Sequence, residues 1–108
     1  MTNGRWRAAL VTFERREAQQ DILPEWAHGA CGWMIALAPD EETARALLVR
    51  DVEFHGLRVI DIDDEQEVFG EDQIEEIDGH LGMNFRQIEQ GKKTVWGTLH
   101  CYGGEGEA

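Results

Sequence analysis

Positive charge is what this sequence has least of. Ten lysines and arginines stand against 22 aspartates and glutamates in 108 residues, a formal net charge of −12. That deficit excludes nucleic acid as a natural ligand, because phosphate binding draws on clustered basic side chains. It also opposes docking on an anionic bilayer. Cations and basic proteins are attracted instead.

Long hydrophobic runs are missing too. No window approaches the roughly 18 apolar residues of a membrane span. Residues 8–11, flanked by arginines, are too short for the apolar core of a signal peptide. There are only two cysteines, Cys31 and Cys101, and no C-x-x-C pair, so zinc and redox motifs are absent. We expect a soluble cytoplasmic protein with reduced thiols, no membrane association and no nucleic-acid partner. No cofactor motif is found: "GACG" leads into a strand, whereas a phosphate cradle must lead into a helix.

What is present suits one packed domain. Hydrophobic residues make up 42% of the chain, with four tryptophans and four phenylalanines, enough for a single core. No repeat or low-complexity linker divides residues 1–108, and a tail from about 103 is expected to fray. The first strand is read over residues 6–13, where both parities are apolar, which suits cover on both faces or a curling sheet. A polar connection follows. Its Trp26 is expected to fold back as a lid or to form part of a binding surface. "CGWMIALAP" reads as a central strand. Asp40 is placed to cap a helix carrying the stripe Ala44, Leu47, Leu48 and Val52, which Gly56 ends. "LRVIDID" is the third strand.

A second helix is expected over residues 71–90, on the stripe Ile74, Ile77, Leu81, Phe85 and Ile88. Gly79 and Gly82 within it predict a close approach to the sheet, or a kink. "KTVWGTLHCY" closes the set as a fourth strand. The order β-β-α-β-α-β, with the strand-helix-strand unit crossing over right-handedly, gives the α+β class. We expect a two-layer sandwich of a four-stranded mixed sheet with two helices on one face. It is close to a ferredoxin-like layout, except that two strands precede the first helix.

Three features bear on function. Residues 59–78 hold ten carboxylates and no base. Starting an EF-hand at Asp61 puts Gln66 where glycine belongs and Asp72 where glutamate belongs, so no metal is assigned. Catalysis would need a desolvated carboxyl, and most of these acids read as solvated, so no catalytic residue is assigned. The main expectation is a non-enzymatic inhibitor-, immunity- or adaptor-like protein. It would present Asp61, Asp63, Asp64, Glu71, Asp72, Glu75 and Asp78 to a basic protein partner.

The alternative is a small-molecule-binding or weakly catalytic domain. Strand alternation puts Thr94, Trp96, Thr98, His100 and Tyr102 on one face of the last strand, with Trp33 as a wall and Val95, Gly97, Leu99 and Cys101 turned to the helices. Cys101 and His100, being adjacent, then face apart and make a poor nucleophile pair. His55 is expected to cap the carbonyls of the first helix. A homodimer that buries the aromatic face is the third reading.

Overall fold

A computed structural model describes residues 4–17, 19–88 and 91–103. Strand β1 (Arg5–Arg15) buries neighbours on both parities: Ala8 on one side, and Ala9, Val11 and Phe13 on the other. A strand apolar on both sides must lie inside a sheet and be covered twice. It pairs on one edge with β2 (Ala27–Ala38) and on the other with β3 (Leu57–Val68); β2 pairs in turn with β4 (Thr94–Gly103). The sheet order is β3-β1-β2-β4.

Helix α1 (Glu41–Phe54) starts where the sequence predicts. Asp40 Oδ1 accepts from Thr43 N at 2.7 Å, and Gly56 follows the helix with φ of +78°. Its Ala44, Leu48 and Val52 pack on Ala9, Val11, Phe13, Met34 and Ala36, forming the two-layer helix-on-sheet core. The α+β class and the four-stranded sheet packed by helices are as the sequence predicts.

Two details differ. Every pairing is antiparallel, so the sheet is not mixed. The strands that α1 connects are parallel to each other, but β1 lies between them. The second helical segment, moreover, does not lie beside α1. Its buried residues, Ile74 and Leu81, pack with Ala8, Ile35, Val68 and Val95. These strand residues alternate with those under α1, so they point to the opposite face. We call this the reverse face.

The segment is also two helices, α2 (Glu71–Ile77) and α3 (Gly79–Arg86), broken at Asp78. Gly82 is where they meet: a Cβ there would stand 2.5 Å from Glu75 Cγ. The glycine therefore serves a close approach between helices, not an approach to the sheet.

Alternation along the edge strands is interrupted. Gly32 pairs with Leu99 but Met34 with Trp96, so Trp33 opposes both Gly97 and Thr98. This bulge reverses the parity of β4. Val95 faces α2 and α3, whereas Leu99 and Cys101 face α1. In β3, register shifts leave Ile60 and the residues around Asp64 as insertions against β1. Asp64 is the one described non-glycine residue with positive φ, at 50°, a conformation aspartate tolerates better than most.

The helices α2 and α3 cover the end of the reverse face that holds Trp6, Ala8 and Ile35. Further along, the cross-strand row Asp61, Thr12, Cys31 and His100 has exposed ends and a half-buried middle. Trp26, expected either to fold back as a lid or to form part of a binding surface, is 65% exposed beside Gly103, so it is not a lid on the core.

The bulge predicts a specific sensitivity. A Cβ on Gly32 would lie 2.5 Å from the Thr98 carbonyl oxygen and 2.6 Å from Leu99 Cδ2. The oxygen belongs to a backbone held by the sheet, so Gly32→Ala should destabilise by about 1–3 kcal/mol through overpacking. Urea unfolding measures this. An unchanged midpoint would mean that the bulge relaxes without cost.

Candidate functional site

The acidic run from 59 to 78 begins on an edge strand and continues into α2, and strand alternation divides it. Asp61 and Asp63, paired in register with Thr12 and Leu10, point to the reverse face; Asp64 sits on the neighbouring insertion. All three are exposed, and no ion pair reaches them among the described residues. Glu65 and Glu67 turn to the α1 face, where Arg45 and Arg5 pair with them. Glu71, Asp72 and Glu75 are exposed on α2, over the reverse face; Arg86 pairs with the two glutamates.

Asp78 does something else. Its Oδ1 accepts from Leu81 N at 2.9 Å, capping α3, and from Thr98 N at 3.2 Å and Thr98 Oγ1 at 3.1 Å. The carboxylate therefore ties the break between the two helices to the β4 bulge. Gly97 makes room, since a Cβ there would stand 3.1 Å from that same oxygen. Burial works to raise its pKa, but the donors from Leu81, Thr98 and His80 outweigh it, and Asp78 is held below the usual aspartate range. Of the seven acids expected to meet a partner, Asp78 is the one turned inward.

The set expected on the last strand is also divided. Trp33, Thr98, His100 and Tyr102 share the reverse face, but Trp96, lying before the bulge, is on the α1 face with Thr94. Tyr102 leans across Gly29, whose Cβ would meet its hydroxyl at 2.4 Å, and donates to the Phe13 carbonyl at 3.4 Å. Burial, followed by the nearby Cys31, raises its pKa. His100 is exposed, and Thr12 Oγ1 lies 3.4 Å from Cys31 Sγ. Cys31 and Cys101 are free. They occupy opposite faces of neighbouring strands, a placement that no disulfide spans.

On the α1 face the fold builds a polar knot that the sequence reading missed. Asp51 Oδ2 accepts from Trp96 Nε1 and from Thr94 Oγ1, both at 2.7 Å. The His55 ring stands edge-on to Trp96 with centroids 5.6 Å apart, and its Nδ1 is 2.9 Å from Asp21 Oδ1. His55 is the C-cap of α1, its backbone N–H donating to the Val52 carbonyl at 3.1 Å, and its ring in addition lies between two acids and an indole. The available signal was the Asp51/His55 spacing of one helical turn. Arg7 was missed as well. It occupies the parity of Ala9, Val11 and Phe13, so its charge points toward the core side, which is the sign to look for. Among the described residues no three of histidine, cysteine, aspartate and glutamate gather to hold a metal ion.

The chemistry of Asp78 sets a pH dependence. Its folded pKa is depressed, so its contribution is present above the unfolded aspartate value of about 3.9 and is lost as pH falls through the lower folded value. Asp78→Ala should cost roughly 1–2 kcal/mol near neutral pH through loss of the helix cap. The difference from the parent should shrink as pH drops below about 4, where the parent carboxyl also becomes neutral. Parallel denaturation curves at pH 7 and pH 3 check this. A gap that stays constant would place the effect outside the charge.

In comparison with known proteins, the chain matches no family model, no curated protein and no solved structure.

Proposed function

We propose that this is a non-enzymatic acidic binding protein, acting as an inhibitor or adaptor, that captures a basic protein on the reverse face of its sheet. The observation that carries this reading is the free state of Asp61, Asp63 and Asp64: exposed, adjacent, and unopposed by any cation among the described residues. The exposed acids of α2 border the same face. A partner rich in lysine and arginine would be steered there by the net charge of −12, which raises its rate of capture. Contact area beyond charge is offered by Thr12, Cys31 and His100 in the uncovered row.

Both thiols are free, which fits a reducing, cytoplasmic setting. The alternative occupant of the bare row is a second copy of the chain, giving a homodimer. Symmetric pairing would bring two sets of Asp61 and Asp63 to one interface, and like charges oppose it. No helix is long and apolar enough to cross a membrane among the described residues.

A charge-reversed variant, Asp61→Lys with Asp63→Lys, tests the proposal against a control reversed at exposed acids elsewhere, Glu25→Lys with Glu53→Lys. In affinity capture from a cell extract, the parent and the control should retain the same basic protein, and the Asp61/Asp63 variant at least tenfold less. Retention should also fall at about 0.5 M salt, where screening shortens electrostatic reach to a few ångströms. Equal retention by both variants, or no basic protein retained, overturns the reading. Light scattering at twice the chain mass of 12.3 kDa would assign the face to a homodimer.

A further inference from the structure

Between the first half of α1 and strands β1 and β3 lies a cavity of about 240 Å³ on the face away from the acidic surface. Arg7 and Ala9 of β1, Ala44, Arg45 and Leu48 of α1, and Glu65 of β3 line it. The insertion near Asp64 helps to open it, because β3 steps away from strict pairing opposite Ala9.

The charges around the cavity are satisfied with one exception. Arg45 grips Glu65 through two hydrogen bonds, the Nε one at 2.7 Å, and reaches Glu41 at 3.7 Å. Arg5 pairs with Glu67. Arg7 makes no hydrogen bond or ion pair with any described side chain, and its Nε is buried without a partner. Glu65 is held below the usual glutamate range by the hydrogen bonds from Arg45, against burial, with the charges of Arg45 and Arg7 assisting. Both glutamates beside Arg7 are thus already claimed by other arginines.

The geometry points to a second binding site, in which Arg7 receives the carboxylate of a small organic acid whose apolar part rests on Ala9, Ala44 and Leu48. A guanidinium is a planar fork that matches a carboxylate with two parallel hydrogen bonds. A buried donor without an acceptor is the group that gains most from such a ligand. Ligand charge discriminates further. Arg7 and Arg45 share the lining with Glu41, Glu65 and Glu67, so the surplus carboxylate charge opposes a phosphate dianion more strongly than a monoanion. With liquid water filling about 30 Å³ per molecule, the cavity holds a molecule the size of a small amino or keto acid. The site is independent of the acidic surface and lies on the other side of the sheet.

Titration of the full chain with propionate, benzoate and inorganic phosphate, read by nitrogen-15 NMR, tests the assignment. The Arg7 Nε–H resonance and the amides of Ala9 and Ala44 should shift saturably with at least one carboxylate. Phosphate should bind at least tenfold more weakly. Arg7→Gln should abolish the response. Arg7→Lys, which keeps the charge but lacks the fork, should weaken it about tenfold and guards against a folding defect in the first variant. No saturable shift up to 50 mM of either acid overturns the site. Equal response to phosphate, or a response retained in Arg7→Gln, overturns the carboxylate assignment.

Discussion

The two central strands, β1 and β2, carry buried residues on both parities, Ala8 against Ala9 and Ile35 against Met34, and this makes the sheet need cover on both faces. The helices are divided accordingly. The fourteen residues of α1 go to one face; the seven of α2 and eight of α3 go to the other. Broken and short, the second pair covers only one end. The partly open reverse face, with its row of Thr12, Cys31 and His100, is the remainder of that division. Burial of apolar surface thus determines where polar groups are left for recognition.

Holding α2 and α3 on the sheet requires a polar junction as well as Ile74 and Leu81. Asp78 supplies it, joining the start of α3 to Thr98 at the point where β4 bulges. The bulge has a second consequence. It turns Trp96 toward α1, where Asp51 takes its indole N–H, and leaves Thr98 and His100 on the reverse face. One inserted residue therefore decides which aromatic groups can meet a ligand and which are spent on the core. This is a register effect, since moving a strand by one residue exchanges its faces.

Much of this was legible and some was not, for identifiable reasons. Asp40, Gly56 and the stripe Ala44, Leu48 and Val52 announced α1, because capping and helical period are local. The both-parity burial of β1 was equally visible, and it already contained the answer on helix placement, since a single helix layer cannot cover two faces. Which face the second crossover takes depends on long-range packing, which periodicity does not encode. The fourth strand misled because alternation was extrapolated through Gly97, although glycine inside a strand often marks a bulge. Asp78 was read as a surface acid because its neighbours are. Its place immediately before Gly79, three residues ahead of Leu81, was the capping signal that set it apart.

Charge is sorted in this molecule by face, and that sorting does more than the net value to limit what it can bind. Arg5 and Arg45 neutralise Glu67 and Glu65 on the α1 side, Arg58 neutralises Glu14 at the far end of the reverse face, and Arg86 meets the glutamates of α2. Exposed pairs of this kind contribute only about 0–1 kcal/mol each, so stability gives little reason for their distribution. Their effect is on the potential: they cancel acids locally and leave Asp61, Asp63 and Asp64 as the uncancelled group on β3. An edge strand so charged and twice interrupted in register also resists pairing with another strand. The basic partner proposed for that edge would be held by its positive side chains, because the backbone edge offers it little. Arg7 is the mirror case on the opposite face, a cation left over in a cavity whose acids are already taken. Glu65 and Glu67 lie close to it, but Arg45 and Arg5 hold them, so Arg7 forms no ion pair among the described residues although carboxylates are near.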